Sequence, residues 1–502
     1  MLGKNAAPDS WPFQRRRCSG LLLHPTSLPG ELSSGDMGHE AYRFIEFMAA
    51  SGMRVWQMLP LGPTHEDGSP YQCLSVHAGS PLLISLDWLV DRGWLKKSQC
   101  QADADTSKSH RINCLQLAWL GFEAAADPEA KQAYAAFLAA QAHWLEDYAL
   151  YIALRWEQHH QPWWLWPAAE RDRKPAAMKK ARQRLAQEIA QVQFEQFVFF
   201  SQWHELKDYA HRHEVALFGD MPIFVAHDSA EVWAQRQYFS VDAQGKAQTV
   251  AGVPPDYFSA TGQYWGNPQY RWEQLEADGF SWWVDRLRTQ LELFDLVRID
   301  HFRGFEAFWE IPAEAETAIE GHWVKAPGKA LLETLRASFH HLPLVAEDLG
   351  IITEEVTELR QAFDLPGMKI LQFAFDGNAD NPYLPHNHEI HSVVYTGTHD
   401  NDTTLSWYGA LDDAQRQRID DYLGYEVAPD MPWPLIRSAL ASVAEMAILP
   451  MQDVLGLGEG QRMNLPGTTE NNWRWRFQWS QLPPTLAAQL CQFNILYGRH
   501  DA

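Results

Sequence analysis

Eight short apolar runs punctuate this chain, most of them separated by segments of helical pattern, and each gathers polar residues at its carboxyl end. They are SGLLLHP from Ser19, MRVWQMLP from Met53, ALFGDMPI from Ala216, FDLVRID from Phe294, LPLVAEDLG ending at Gly350, MKILQFAFDG from Met368, SVVYTGTHDND from Ser392 and MAILPMQDVLG from Met446. Repeated strand–helix units force the strands to run parallel, because a helical crossover returns the chain to the same end of the sheet. Eight such units predict a (β/α)8 TIM barrel, whose chemistry lies at the carboxyl ends of its strands. A doubly wound open sheet is the alternative. It would concentrate ligand contacts at one glycine-rich turn, whereas acidic residues here are spread over several strand ends. LGLGEG, Leu455 to Gly460, lacks the third glycine and the following helix of a dinucleotide turn, so it reads as a strand-end turn.

Between the second and third runs the texture is helical, with apolar residues three and four apart. The expected division is therefore 1–90 as the first part of the barrel, 91–195 as a mainly helical inserted subdomain, and 196–502 as the remainder. Trp163, Trp164 and Trp166 read as packing for the inserted helices. The stretch 250–272 is dense in proline, glycine and aromatics with little periodicity, and reads as a long functional loop.

The fourth run carries the most informative chemistry. Side chains alternate along a strand, so Arg298 and Asp300 share one face, and a cation beside a carboxylate favours its ionised, nucleophilic form. Glu347 closes the fifth run and Asp400 the seventh. Cleaving a glycosidic bond with retention needs one ionised carboxylate to attack and one protonated carboxyl to assist the leaving oxygen. Asp300 suits the first task. Glu347 suits the second if apolar surroundings and nearby carboxylates raise its pKa. Asp400, beside His399, would bind substrate hydroxyls and favour an oxocarbenium-like transition state. Carboxylates that hold a metal or only stabilise structure are the competing readings.

Charge and cysteine content narrow the class. With 41 basic against 64 acidic residues the net charge is -23, which disfavours nucleic acid and anionic membrane as partners. Five scattered cysteines and no apolar run of spanning length predict a cytoplasmic protein without a disulfide framework. The pairs His159-His160, His211-x-His213 and His386-x-His388 supply no convincing ligand set, so no metal or cofactor is expected.

The segments LLLHPTSLPG, GSPYQ, LFGDMPIFVAHDSAEVW, GVPPDYFSATGQYWGNPQY, VRIDHFRG, AEDLG, MKILQFAF, TGTHDNDT and RMNLPGTTENNWRWR run in order along nearly the whole chain. Together they resemble the 4-α-glucanotransferases of the amylomaltase type, glycoside hydrolase family 77. The resemblance implies a barrel with inserted subdomains, Asp300 as nucleophile, Glu347 as acid/base and Asp400 as transition-state stabiliser. It implies Arg298, His301 and His399 beside the bond being broken, and Tyr71, Asp256, Tyr257, Trp265 and Asn267 in or near the glucan groove. The implied substrates are α-1,4-glucans and malto-oligosaccharides, with glucose as an acceptor. One departure stands out: where the family often shows Phe and Asn, this chain has His77 and Ser80.

Overall fold

The protein is described here from a computed structural model covering residues 17–100, 108–255 and 259–501. All eight apolar runs form strands: Cys18–Leu22, Val55–Gln57, Ala216–Pro222, Leu296–Asp300, Leu344–Ala346, Gly367–Ile370, Ser392–Tyr395 and Met446–Pro450. Counted in chain order, they lie sixth, seventh, eighth, first, second, third, fourth and fifth across one sheet, every neighbouring pair parallel. The fifth strand comes back to the sixth where the Ala346 N–H donates to Pro366 O at 2.9 Å, so the sheet curls into a nearly closed barrel.

Strand alternation sorts the side chains into two cores. Val55, Phe218, Leu296, Val345, Met368, Ile370, Val393, Met446 and Ile448 pack together inside the barrel. Their chain neighbours, such as Trp56, Leu217, Val297, Ala346, Val394 and Ala447, belong to the separate core beneath the helices. Each buried large apolar side chain contributes about 1.5–3 kcal/mol, so a one-residue slip of the fourth strand would forfeit several such terms and drive Arg298 into the apolar outer core. The space inside is tight. A Cβ on Gly20 would lie 2.0 Å from Val55 O, which excludes any larger residue there.

Two excursions leave the barrel. After the second strand come the helices Lys108–Ala125, Pro128–Glu157 and Ala186–Arg212. Asp127 caps the second of these by accepting from Ala130 N–H at 2.8 Å, with Pro128 pre-set for the first turn. The third spans position 195 without a break and feeds directly into the third strand. Asp228, in the loop after that strand, accepts from Tyr151 OH at 2.7 Å, from Trp163 N–H at 3.2 Å and from Arg155. Trp163 and Trp166 are buried, and Trp164 stacks on His227 at 3.9 Å, so the tryptophan triplet packs the excursion onto the barrel.

The second excursion corrects the expectation of a long irregular loop. Thr249–Val253 and Gln263–Pro268 are strands of a four-stranded antiparallel sheet completed by Ala307–Pro312 and His322–Lys325. Half of that sheet comes from the far side of the fourth barrel strand. Pairing partners so distant in sequence leave little local periodicity to read. The departures at His77 and Ser80 prove to lie in the packing. His77 stacks on Trp144 at 5.7 Å and its Nδ1 lies 2.8 Å from the Thr289 hydroxyl, and burial pushes its pKa down to about 3. Ser80 N–H donates to Leu61 O at 2.8 Å.

Candidate active site

The register of the third and fourth strands sets Asp220 opposite Arg298 and Pro222 opposite Asp300. Asp220 and Arg298 follow Phe218 and Leu296 on the barrel's inner face, so polar groups take over as each strand nears its carboxyl end. The guanidinium of Arg298 forks. Nη1 donates to Asp220 Oδ2 at 2.7 Å and Nη2 reaches Asp300 Oδ1 at 2.9 Å. Burial works against the charge on Arg298, but the neighbouring carboxylates, Asp220 and Asp300 foremost, outweigh it and hold the cation firmly. Asp220 is 1% exposed at its side chain and Asp300 is 29% exposed, so of the two acids only Asp300 is open to a ligand.

The chain leaves the fourth strand through His301 at φ 58°, a left-handed conformation that costs a non-glycine residue on the order of 1 kcal/mol. That turn points the His301 N–H at Glu347 Oε2, 2.6 Å away, while Leu349 N–H donates to Oε1 at 3.0 Å. Burial pushes the Glu347 pKa up to about 7; Arg298 and the two N–H groups oppose the rise and the charge of Asp300 reinforces it. The His301 ring meets Trp265 edge to face at 4.9 Å, and burial lowers its pKa to about 4. Asn267 in turn accepts from Gln72 Nε2 at 3.1 Å, joining the aromatic segment to the GSPYQ loop.

Tyr71 carries the network to the far wall. Its hydroxyl donates to Asp220 Oδ2 at 2.7 Å, and because it has only one proton, the 2.8 Å contact with His399 Nε2 must be a bond donated by the imidazole. The two rings stack at 5.2 Å with 14° between planes. Burial and Asp220 raise the phenol pKa well above its usual value, which keeps the donor proton in place. His399 Nε2 also lies 3.4 Å from Asp400 Oδ1, which accepts from Asn464 Nδ2 at 2.6 Å, and Arg462 Nη2 donates to the Asp400 backbone oxygen at 2.7 Å.

One chain of contacts thus runs from Glu347 through His301, Asp300, Arg298, Asp220, Tyr71 and His399 to Asp400. It gathers every described residue singled out from the sequence, with Trp265 and Asn267 at its edge; Asp256 and Tyr257 lie outside the described residues. Four participants were not foreseen: Asp220, Gln72, Arg462 and Asn464. Asp220 had a readable signal, an acid at an inward-facing position inside an apolar run, the same signature that drew attention to Arg298. The arrangement offers an ion-paired carboxylate and a carboxyl of raised pKa on neighbouring strands, with a third acid across the barrel mouth.

A model of glycoside hydrolase family 77, described as 4-alpha-glucanotransferase, matches residues 23–482. The chain is 49% identical over 486 residues to a 4-alpha-glucanotransferase of Thermus thermophilus, covering 94% of this chain and 97% of that protein. A Synechocystis 4-alpha-glucanotransferase is 47% identical over 96% of this chain and 98% of its own length. Among solved structures, the amylomaltase from Streptococcus agalactiae in complex with acarbose superposes with a TM-score of 0.92 at 34% identity, covering 97% of this chain and all of that one. Identity of this extent, over a parallel eight-stranded barrel with acids grouped at its strand ends, makes the chain a member of glycoside hydrolase family 77, the 4-α-glucanotransferases.

Proposed function

We propose that the chain transfers α-1,4-glucan segments by double displacement, with Asp300, Glu347 and Asp400 as its acting acids. Asp300 attacks the anomeric carbon while Glu347 gives its proton to the departing glycosidic oxygen, and the shortened glucan leaves with a free 4-hydroxyl. Glu347, now a carboxylate, takes the proton from the 4-hydroxyl of an incoming glucan or glucose. That oxygen displaces Asp300 and restores both acids. Asp400 holds ring hydroxyls and favours the positive charge that develops on the sugar. The observation that carries this reading is the contrast between two neighbouring acids: Asp300 is ion-paired to Arg298, and Glu347 is pushed up by burial.

Tyr71, Trp265 and Asn267 border the same mouth and are assigned to glucan contact, and the family pattern adds Asp256 and Tyr257. Transfer requires an acceptor sugar held by binding energy against a large excess of water. The aromatic segment between Pro254 and Tyr270 is the candidate for that work. The helical stretch 91–195 is assigned as an inserted subdomain and the remainder as the catalytic barrel. No described helix is long and apolar enough to cross a membrane.

Incubation with maltotriose alone tests the reading. Longer oligosaccharides and free glucose should form while the number of reducing ends stays constant. A count that rises with bond cleavage would make water the acceptor and overturn the assignment of transfer.

A further inference from the structure

On the opposite side of the barrel from His301, a second bulky residue beside the contact chain is held in a left-handed conformation. Trp473, in the loop after the eighth strand, has φ 64°, and Asn471 two residues before it has φ 61°. Large side chains rarely adopt this conformation, and one persists in it where the surroundings impose it. Here they do. Met463 inserts into the cluster inside the barrel, and its carbonyl accepts from the Trp473 backbone N–H at 2.8 Å. Asn472, buried between the two strained residues, accepts from Leu465 N–H at 2.9 Å and donates to Thr468 O at 2.9 Å. Arg476 closes the segment by donating to Leu28 O at 3.0 Å, Leu32 O at 2.6 Å and Gly30 O at 3.2 Å.

The indole that this segment fixes is half-buried. It packs against the cluster inside the barrel and meets the ring of Tyr71 at 5.8 Å and that of His399 at 6.1 Å. Its N–H bonds to no described residue and is not sealed from solvent, whereas Trp475, two residues on, donates to Gln461 Oε1 at 3.1 Å. Asp400, whose Oδ1 lies 3.4 Å from His399 Nε2, is 45% exposed at its side chain. An aromatic face, an open N–H donor and an open carboxylate therefore border one part of the barrel mouth.

We propose that Trp473 is a further substrate-contacting residue: its ring walls the site on the His399 side, and its N–H donates to a hydroxyl of the glucosyl unit that passes to Asp300. A sugar matches the groups gathered there. Hydroxyls both give and accept protons, so one can give to Asp400 while another accepts from the indole, and the C–H groups of the ring pack on an aromatic face. The strained backbone then has a function, since it fixes the indole beside Tyr71 and His399 before any sugar arrives. The inference rests on the transfer reading above, which takes Asp300 and Asp400 as the groups that hold this sugar.

Crystals of the unsubstituted protein soaked in acarbose test the two readings separately. The expected result is acarbose at the barrel mouth with a hydroxyl within hydrogen-bond distance of Trp473 Nε1. Acarbose at the mouth with that N–H facing water alone would overturn the inference and leave the transfer reading standing, and no acarbose at the mouth would overturn both. Trp473→Phe keeps an aromatic ring and removes the N–H. Calorimetry should show this variant binding acarbose roughly three- to tenfold more weakly at unchanged Tm, the loss of one hydrogen bond, with kcat/KM for maltotriose falling by a similar factor. Unchanged affinity in the folded variant would overturn the inference.

Discussion

Glu347 and Asp453 both lie at the carboxyl ends of barrel strands, and burial raises the pKa of each, yet they are held in opposite ways. Asp453, 1% exposed beyond the eighth strand, accepts from Thr404 N–H at 2.7 Å, Thr396 OH at 2.6 Å and Thr404 OH at 2.7 Å. Its oxygens are occupied by the protein. Glu347 is half-buried and takes one backbone N–H on each oxygen, which fixes its orientation and leaves lone pairs free. The same distinction separates Asp228, held by three groups of the helical excursion, from Asp300, held by Arg298 and partly open. A strand-end acid is available for chemistry when its bonds orient it without using it up.

This contrast breaks if the partly open acids prove dispensable. Asp300→Asn and Glu347→Gln should each lower the transfer kcat by about a thousandfold or more, the scale of a lost nucleophile or general acid, with little change in Tm. Near-normal turnover in both would remove the proposed roles. Tyr71→Phe keeps the ring that stacks on His399 and deletes the hydroxyl between Asp220 and His399. A lost bond to a charged group is worth about 1.5–3 kcal/mol, so kcat/KM should fall roughly ten- to a hundredfold, and an unchanged value would show that the link is idle.

Asp453→Asn sharpens the other side. It should cost about 1–3 kcal/mol of stability in denaturant unfolding, because an amide cannot accept all three bonds, while activity per folded molecule stays within about twofold. A large loss of kcat at unchanged stability would erase the distinction drawn here. The gentlest test is pH. If Glu347 must be protonated to assist the leaving oxygen, donor cleavage should decline as pH rises past about 7. Its folded pKa stands above the ordinary 4.5, so the folded state binds more protons across that window, and this contribution to stability falls as pH rises from about 4.5 to 7. Glu347→Gln should remove both dependences.

Much of this is legible in the sequence alone. The eight strands announced themselves as apolar runs, and the two-residue step from Arg298 to Asp300 put both on the inner face because strand periodicity leaves no other choice. The antiparallel sheet was not legible, since Thr249–Val253 pairs with Ala307–Pro312 across the whole fourth barrel unit. Asp220 is legible as an acid at an inward-facing position, but its pairing with Arg298 is not, because that depends on register, a relation between two strands that neither strand contains. His77 shows the converse. Its departure from the family pattern stood out in the sequence near a substrate loop, but the side chain turns inward to Trp144.

The forked guanidinium of Arg298 bears on the charge balance of the reaction cycle. When Asp300 becomes an ester in the proposed intermediate it ceases to be an anion, and a buried cation deprived of its counter-ion would destabilise that state by several kcal/mol. Asp220, opposite it at 2.7 Å and sealed from solvent, stays beside the cation as its remaining partner; burial raises the Asp220 pKa and Arg298 opposes that rise. The intermediate therefore forms without stranding a charge, and Asp220→Asn should reduce the fraction of enzyme trapped as covalent adduct during turnover of a slow donor.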